Sequence, residues 1–373
     1  MNKNLDRYNG MPSIVLDHRP FFSIIIACYN SRETLENLLD SILDQEMNDD
    51  IEVILSDDCS TESYDDIVDD YRDILSIRQI KTDYNFAPGN TREKGVSIAE
   101  GEWISIADHD DEYIPGSLKK VKEQILANNE QFYAVGNFIE RDYYTGNIIR
   151  EMKRCMGWNH AKFYNLDNLW KHFDIHFTKD LLTHEDICIS SQINCVMNFL
   201  NRVPLFIDEF CYVWNARTTS VSRSIYMKDG KEHHFLEMFF EDYLKSTAKV
   251  YFDQYRKGNI TQDYAIDSVL EVLGYAYFYT QGFIFHHPDD YIKENVEICR
   301  KFLVGIKKVF GYNNEMIYNW MASNDAYHFC RIKETADLGS GPYIPSQTIR
   351  DWLNSLHEDI QPKLTMKDVM HKI

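Results

Sequence analysis

The residues with the clearest chemistry are three carboxylates within four positions, Asp108, Asp110 and Asp111, with His109 among them. They directly follow the apolar run 103–107, which is typical of a buried strand and places them at the edge of a sheet. Carboxylates this close repel one another, and a divalent cation removes that repulsion. Oxygen-rich sites suit Mg²⁺ or Mn²⁺, which could bridge two phosphates of a nucleotide. The imidazole is expected to alternate away from the carboxylates. The alternative is an acidic turn that caps the next helix.

The composition excludes several classes of protein. The chain has 373 residues, 44% hydrophobic and 14% aromatic, enough for one large or two ordinary domains with a substantial core. Its net charge of −20 argues against nucleic acid as a partner, because a nucleic-acid binder needs a basic face. The same charge disfavours broad attachment to an anionic membrane, although a local basic patch could still bind there.

Neither a signal peptide nor a transmembrane segment is predicted. Segment 1–20 is polar and has no apolar core of the signal-peptide kind. The apolar stretch 21–29 is too short to cross a bilayer, and 269–285 is better explained as a buried helix. The eight cysteines form no C-x-x-C pair and are expected to be reduced and buried, which argues against zinc. These features predict a cytoplasmic protein that is at most peripheral at the inner face of the membrane.

Strands and helices alternate in the first third of the chain. The run 21–28 predicts a strand buried on both faces, and Asn30 is predicted to cap a helix in which Glu33 follows three residues later. This βαβ alternation implies an α/β fold, a parallel sheet with helices on both faces. Further predicted strands are 51–55, 77–80 and 103–107, and further predicted helices are 62–75 and 90–100.

Parallel sheets bind ligands beyond the carboxyl ends of their strands. Asp57 and Asp58 follow one predicted strand and Asp108 follows another, so these acidic groups are predicted to line one cleft. Beyond residue 115 the pattern is less regular, with strands expected near 132–138, 147–152 and 209–214 and helices near 116–127 and 166–173. The predicted domains are an N-terminal extension at 1–20, an α/β domain at 21–225 and a mainly helical C-terminal domain at 226–373.

Five segments resemble, in order, the motifs of family-2 glycosyltransferases. Together they cover roughly residues 20–225, and as a set they are highly specific. The resemblance implies the GT-A fold, which is Rossmann-like, and inverting transfer of a sugar from a nucleotide-sugar donor. The segments are FSIIIACYN at 22–30, VILSDDCST at 53–61, the loop and helix from Asn85 to Gly95, GEWISIADHDD at 101–111 and HED at 184–186.

The chain departs from the family pattern at three positions. Cys28, Cys59 and Glu93 stand where the family more often has Thr, Gly and Asn. None of these changes removes a charged catalytic group. They leave the identity of the donor base and of the donor sugar open, but they do not change the expected reaction.

The resemblance places the donor base near the ends of the first two strands. Ala27 and Tyr29 are expected to border a flat base, because a tyrosine ring can stack on uracil. Glu33 could reach the nucleoside or support its own helix. Asp58 is expected to accept the N3–H of uracil, with Asp57 as the alternative, and either could instead cap a turn.

The donor phosphates and sugar are expected to meet a second set of residues. The resemblance places Asn85 and Arg92 near the nucleoside or its phosphates, where an arginine can neutralise negative charge. Asp108 is expected to contact the ribose or support the metal. Asp110 is the expected direct metal ligand, and Asp111 is expected to receive a hydroxyl of the donor sugar.

The later E-D motif is assigned to the acceptor. Asp186 is expected to take the proton of the acceptor hydroxyl, with Glu185 as the alternative base, and a position at a helix start is expected to favour the ionised form. Both could instead act only on the helix dipole. His184 could contact acceptor or phosphate, or cap this helix. Trp214 could stack on a sugar and Arg217 could meet the diphosphate, although each also has an ordinary packing or surface explanation.

The sequence therefore predicts a metal-dependent, inverting hexosyl- or N-acetylhexosaminyltransferase, most simply with a UDP-sugar donor and Mn²⁺ or Mg²⁺. The expected acceptor is a glycan, lipid-linked or polymeric precursor of a bacterial surface polysaccharide. The aromatic C-terminal region could form a homo-oligomer interface. The first alternative is a sugar nucleotidyltransferase, but the glycine-rich G-x-G-x-R-like loop of that class is missing after the first strand. The second is a catalytically idle glycan-binding protein, which would not need both acidic motifs.

Overall fold

The computed structural model divides the chain into two compact units, Met1–Ser220 and Val221–Ile373. The boundary predicted after residue 225 stays a prediction. The residues that the structure describes are 12–178, 181, 184–218, 225–228, 230–234, 240–266, 268–269, 272, 289–311, 313 and 316.

The first half of the first unit is a parallel sheet. The apolar run of β1 is almost wholly buried because helices cover both of its faces. It pairs in parallel with β2 on one side and β4 on the other, and β3 completes the order β3-β2-β1-β4. The strands are β1 (Phe22–Cys28), β2 (Ile51–Asp57), β3 (Ser76–Lys81) and β4 (Trp103–Asp108).

The second half of the same sheet is mixed. β8 is antiparallel to both β4 and β6, β6 and β9 are parallel, and β5 and β7 pair antiparallel with β9 and β6. The α/β fold class is confirmed, and the sheet is parallel in its first half and mixed overall. The strands are β5 (Glu112–Tyr113), β6 (Tyr133–Asp142), β7 (Ile148–Met152), β8 (Lys162–Asn165) and β9 (Leu205–Ala216).

Helices cover both faces of the sheet. Ile24 and Ile26 of β1 pack into one cluster of buried side chains with the first and fourth helices, whereas Ile25 packs into a second cluster with the third and fifth. This alternation is the two-residue period of a strand. The helices are α1 (Arg32–Leu43), α2 (Asp65–Tyr71), α3 (Pro88–Ser97), α4 (Ser117–Ala127) and α5 (Glu185–Phe199), with a short π-helical turn at Leu166–Lys171.

The start of α1 differs from the prediction. Ser31, not Asn30, is the N-cap residue, and Asn30 has a φ of 50°. Its carboxamide oxygen accepts hydrogen bonds from the backbone and hydroxyl of Thr61, so it holds the loop after β2 instead of the helix. Glu33 is therefore the second helical residue and is exposed. The predicted capping pair of Asn30 and Glu33 is wrong.

The second unit contains a β-hairpin and long helices among its described residues. Strands β10 (Ile225–Lys228) and β11 (Lys231–His234) pair antiparallel. Two of its helices are α6 (Phe240–Arg256) and α7 (Asp289–Phe310). Most of the buried helix expected at 269–285 lies outside the described residues. Within the described part of the chain, no helix has the length and apolar character needed to span a bilayer. The expected oligomer interface stays a prediction.

Candidate active site

The strand register brings the predicted acidic groups to one edge of the sheet. Cys28 at the end of β1 lies beside Asp57 of β2, and Ala27 lies beside Asp108 of β4. Because β1 is parallel to both neighbours, these carboxyl ends open on the same side. The two acidic segments therefore line one edge, although they are far apart in sequence.

Asp57 stabilises the turn that follows β2. Its carboxylate accepts a hydrogen bond from the backbone N–H of Ser60 at 2.9 Å, and its second oxygen lies 3.2 Å from the Lys81 ammonium. The side chain is fully buried. These contacts match the turn-capping alternative for Asp57.

Asp58 binds the loop that follows β3. Its Oδ1 accepts from the Phe86 backbone N–H at 2.7 Å and from the Thr82 hydroxyl at 3.2 Å. Burial raises the pKa of Asp58. This carboxylate thus fixes the loop that carries Asn85, and it lies beside that loop at the edge of the sheet.

Exposed aromatic and polar groups surround this edge. Tyr29 is 50% exposed directly after β1, and Asn85 is exposed between Tyr84 and Phe86. The rings of Tyr84 and Phe86 have centroids 4.0 Å apart. Sequence reasoning did not single out these two rings, because a loop aromatic has no periodic pattern. Tyr29 and Asn85 are accessible to a ligand, as their expected donor contacts require.

Asp108 and Asp111 are held by β9. Tyr212 accepts a hydrogen bond from the Asp108 backbone N–H at 3.0 Å and donates its hydroxyl proton to Asp111 Oδ2 at 2.8 Å. The other Asp111 oxygen accepts from the Asn215 backbone N–H at 2.8 Å. Burial, reinforced by Asp108, raises the pKa of Asp111 well above its usual range. Since its carboxyl is fully buried, Asp111 does not present an oxygen to a donor hydroxyl in this structure.

Asp110 and His109 point to different neighbours. The His109 Nδ1 lies 2.8 Å from the Thr34 hydroxyl, so the imidazole faces α1. Asp110 keeps 18% of its side chain exposed, and its Oδ2 lies 3.7 Å from Arg217 Nη1. Burial raises the pKa of Asp110. The Arg217 guanidinium also covers the ring of Tyr143, at 4.9 Å from its centroid.

His160 completes a possible metal-ligand group with Asp108 and Asp111. Their ligand atoms lie within 4.8 Å of one another, and among the described residues this is the cluster whose donor atoms could hold an ion. Sequence reasoning missed His160, which lies in no motif. The feature that could have indicated His160 is the pairing of β8 with β4, which is antiparallel and places Tyr164 opposite Ile104. Continuing that register by four residues brings His160 opposite Asp108.

Two aromatic rings clamp the His160 imidazole. It stacks between Tyr212, at 5.4 Å and 22°, and Trp214, at 5.3 Å and 21°. Burial lowers the pKa of His160 to about 4. The ring is therefore neutral at pH 7, which is the form that binds metals. Trp214 also packs edge-on against Trp158, so much of its ring contacts protein.

The E-D motif begins α5. His184 is the N-cap residue with a φ of 63°, and its side chain makes no capping hydrogen bond. Burial lowers the pKa of His184 to about 4. The Asp186 carboxylate accepts from the Ile187 backbone N–H at 2.8 Å. Burial, reinforced by Glu185, raises the pKa of Asp186 to about 7. The helix start was expected to favour the ionised form, and burial outweighs that effect.

Arg92 bridges the two acidic motifs. Its Nη2 donates to Asp108 Oδ1 at 2.6 Å and its Nη1 donates to Glu185 Oε1. Only 10% of the Arg92 side chain is exposed. Gly89 allows α3 to pack closely on the segment before α5, because a Cβ there would lie 3.2 Å from the Thr178 carbonyl oxygen. The guanidinium expected to face phosphates thus pairs with carboxylates in this structure.

Lys162 is a second buried cation that sequence reasoning missed. It is fully buried at the start of β8, and its ammonium donates to the His160 carbonyl at 3.2 Å. Burial lowers the pKa of Lys162 to about 8. A lysine in a short strand gives no sequence signal for burial, because lysine is almost always exposed.

The site therefore holds an ionised carboxylate, a cluster of protonatable carboxylates, a neutral imidazole and a carboxyl group that titrates near neutrality. Burial works against ionisation of Asp108, but Arg92 holds its pKa below the usual value. This arrangement can hold a cation and can accept a proton close by. Those are the two tasks that displacement of a phosphate leaving group by a hydroxyl requires.

Part of this chain is similar to known proteins. The family model described as glycosyl transferase family 2 matches residues 23–197. The succinoglycan biosynthesis protein ExoO of Rhizobium meliloti is 34% identical over 122 residues, which are 33% of this chain and 34% of that protein. The poly(ribitol-phosphate) β-N-acetylglucosaminyltransferase TarS of Staphylococcus aureus is 35% identical over 100 residues, 26% of this chain and 18% of TarS. The β-1,3-glucosyltransferase WfaP of Escherichia coli is 33% identical over 124 residues, 32% of this chain and 47% of WfaP.

The fold comparison extends further along the chain than the sequence comparison. The crystal structure of S. aureus TarS 1–349 in complex with UDP-GlcNAc superimposes with a TM-score of 0.62 at 19% identity, covering 90% of each chain. In contrast, the sequence matches span less than two thirds of the length of each of these relatives. Taken with the ordered motifs and the mixed sheet, these comparisons identify residues 23–197 as a family-2 glycosyltransferase domain of the GT-A fold.

Proposed function

We propose that this chain transfers a sugar from a UDP-sugar to a hydroxyl of a glycan, lipid-linked or polymeric acceptor. The transfer inverts the anomeric carbon and is assisted by a divalent cation. The observation that carries the proposal is the bridge from Asp108 through Arg92 to Glu185, because it joins the donor motif to the first turn of α5. The next residue, Asp186, is thereby brought into the electrostatic field of the donor carboxylate.

The residues expected to bind the donor are suited to a uridine nucleotide. The exposed ring of Tyr29 offers a stacking surface, and Asn85 is exposed on the facing loop. Asp58 already accepts two hydrogen bonds at Oδ1, but a carboxylate has about four lone-pair sites and can also accept the N3–H of uracil. TarS, whose fold is similar, forms complexes with UDP and with UDP-GlcNAc. WfaP is named for a UDP-Glc donor.

The residues present fit a divalent cation. Asp110 and Asp111 have pKa values raised mainly by burial, and the negative charge of Asp108 adds to both shifts, so a cation would favour their ionised forms. Asp108 and His160, which lie together in the structure, would hold the cation, and Asp110, which lies outside that group, would be the further ligand that the motif predicts. When bound, Mn²⁺ or Mg²⁺ would offset the charge of the diphosphate leaving group. Asp111 belongs to the same group, and both of its oxygens already accept hydrogen bonds from β9.

The acceptor side is assigned to Asp186. Its carboxylate takes the proton of the acceptor hydroxyl while the hydroxyl oxygen attacks the anomeric carbon and the nucleotide leaves on the opposite face. A base works best when its pKa lies near the operating pH, and the pKa of Asp186 is about 7. The names of TarS and WfaP give their acceptors as poly(ribitol-phosphate) and a diphosphoundecaprenol-linked sugar. We therefore propose a precursor of a surface glycan as the acceptor class.

A donor panel tests this function. The full chain is incubated with UDP-, GDP- and dTDP-sugars and Mn²⁺, and release of nucleoside diphosphate is measured with and without EDTA. We expect release from a UDP-sugar, its loss in EDTA and in Asp110→Asn, and its recovery in the wild type when Mn²⁺ is returned. Release of pyrophosphate from a nucleoside triphosphate and a sugar phosphate would instead identify a nucleotidyltransferase. Glycan binding without turnover of any donor would identify a binding protein.

A further inference from the structure

We propose that Arg92 is a positioning residue that neutralises Glu185, couples it to the donor carboxylate Asp108, and so leaves Asp186 as the carboxylate free to act as base. This inference builds on the proposed function and adds a residue role that the motif alone does not give. From the motif, Arg92 was expected to lie near the nucleoside or its phosphates. In the structure, both of its terminal nitrogens pair with carboxylates from different motifs.

Three elements must meet for this bridge to form. Arg92 lies in the middle of α3, Asp108 is the last residue of β4 and Glu185 is the first residue of α5. The next residue of α3 also holds these elements together. Glu93 accepts a hydrogen bond from the Phe177 backbone N–H at 2.9 Å, which anchors the segment before α5. The same helix therefore fixes both the start of α5 and the end of β4.

The guanidinium suits this position better than an ammonium would. Its planar fork offers separate N–H groups in fixed directions, so one side chain can serve two carboxylates at once. The side chains of Arg92 and Glu185 are only 10% and 12% exposed. Removing one partner of such a buried pair leaves an uncompensated charge, which is costly. Loss of Arg92 would leave Asp108 and Glu185 without their cation and in mutual repulsion.

The neighbouring Asp186 has a different environment. Among the residues that the structure describes, no cationic nitrogen lies within 4.0 Å of its carboxylate. Burial and the Glu185 charge raise the pKa of Asp186 and outweigh the opposing effect of the Arg92 charge, so Asp186 keeps its basicity. Arg92 therefore separates two adjacent acidic residues into a structural partner, Glu185, and a proton acceptor, Asp186.

A double-mutant cycle tests the inference. Arg92→Met, Arg92→Lys, Glu185→Gln and the double variant Arg92→Met with Glu185→Gln are assayed for kcat, for the KM of the UDP-sugar and for melting temperature. We expect Arg92→Met to lower kcat about 10²-fold while the donor KM changes less than about threefold. Arg92→Lys should recover part of that loss. Adding Glu185→Gln to Arg92→Met should restore kcat at least about tenfold, because the unpaired buried carboxylate is removed.

Arg78 provides the matched control. Its side chain is 11% exposed, and it also pairs with two carboxylates, Glu52 and Glu100. Arg78→Met should lower the melting temperature but leave kcat within about twofold. The inference is overturned if Arg92→Met keeps wild-type kcat, if its loss lies in donor KM, or if the Arg92 and Glu185 effects simply multiply. Absence of turnover in the wild type would reject the proposed function instead, so the two failures are distinguishable.

Discussion

Asp186 is buried, and no cationic nitrogen of the described residues lies within 4.0 Å of its carboxylate; these two features set its chemistry. Asp108 is held ionised by Arg92, and Asp111 is held protonatable by burial. Burial, reinforced by Glu185, raises the pKa of Asp186 to about 7. A carboxyl group of this kind is ionised often enough at neutral pH to accept a proton and basic enough to keep it in the transition state. The division of roles among the cleft carboxylates therefore follows from burial and charge partners, not from residue type.

The base assignment predicts a kinetic signature. Asp186→Asn keeps the size of the side chain and removes its basicity, so transfer should fall about 10²–10⁴-fold while UDP affinity stays nearly normal. In the wild type, kcat/KM should rise with pH up to about 7 and then level, because the base must be deprotonated. Glu185→Gln should lose less activity than Asp186→Asn. Transfer rates, pH profiles and UDP calorimetry measure these effects, and a larger loss in Glu185→Gln would move the role to that residue.

At the scale of elements, the regular parts of the fold could be predicted and the short connections could not. The apolar run of β1 and the stripe of α1 follow strand and helix periods, and both elements form as expected. β5 and β8 have two and four residues, too few for a period to show. His160 nevertheless lies two residues before β8 and stacks on Tyr212 of β9, which also hydrogen-bonds Asp111. The site was therefore predictable where a motif ends a long strand, and not where long-range pairing completes it.

A buried glutamate stabilises the start of β1 and β2, at the end of these strands away from the cleft. Glu52, at the start of β2, is 1% exposed and accepts from the Ser23 hydroxyl at 2.5 Å and from the Gly101 backbone N–H at 2.9 Å. Its second oxygen lies 3.3 Å from Arg78. Glu52→Gln breaks this buried ion pair and should lower the free energy of unfolding by about 3 kcal/mol, with the donor KM unchanged.

The control for Glu52 is Glu100, which pairs with the same arginine but is 62% exposed. Glu100→Gln should cost less than about 1 kcal/mol, because exposed ion pairs contribute little. Urea denaturation of the full chain measures both changes. Equal losses in the two variants would show that burial does not set the strength of this clamp.

At the scale of the whole molecule, the chain has a net charge of −20, and several of its carboxyl groups are buried in the cleft. Asp110, Asp111 and Asp186 all have raised pKa values, and burial is the main cause for each. Such groups oppose folding when they ionise, because the folded state favours their protonated form. The cleft is therefore less stable than a neutral version of it would be, and a bound cation would relieve that cost.

This cost predicts a pH-dependent effect on stability. The pKa of Asp186 is about 7 in the folded protein, against about 3.9 for an aspartate in an unfolded chain. Between these values the folded state binds more protons, so the contribution of Asp186 to the free energy of unfolding falls as pH rises from about 4 to about 7. Asp186→Asn removes this titration. At pH 8, with EDTA present, it should be more stable than the wild type by about 2 kcal/mol, and at pH 5 the difference should be much smaller.

Asp66→Asn is the control of opposite sign, because the hydrogen bond from Arg32 lowers the pKa of Asp66 to about 2. That variant should lose stability at pH 8, so urea denaturation at the two pH values separates the two directions. An Asp186→Asn protein that is less stable than the wild type at pH 8 would contradict the raised pKa and, with it, the base assigned to this cleft.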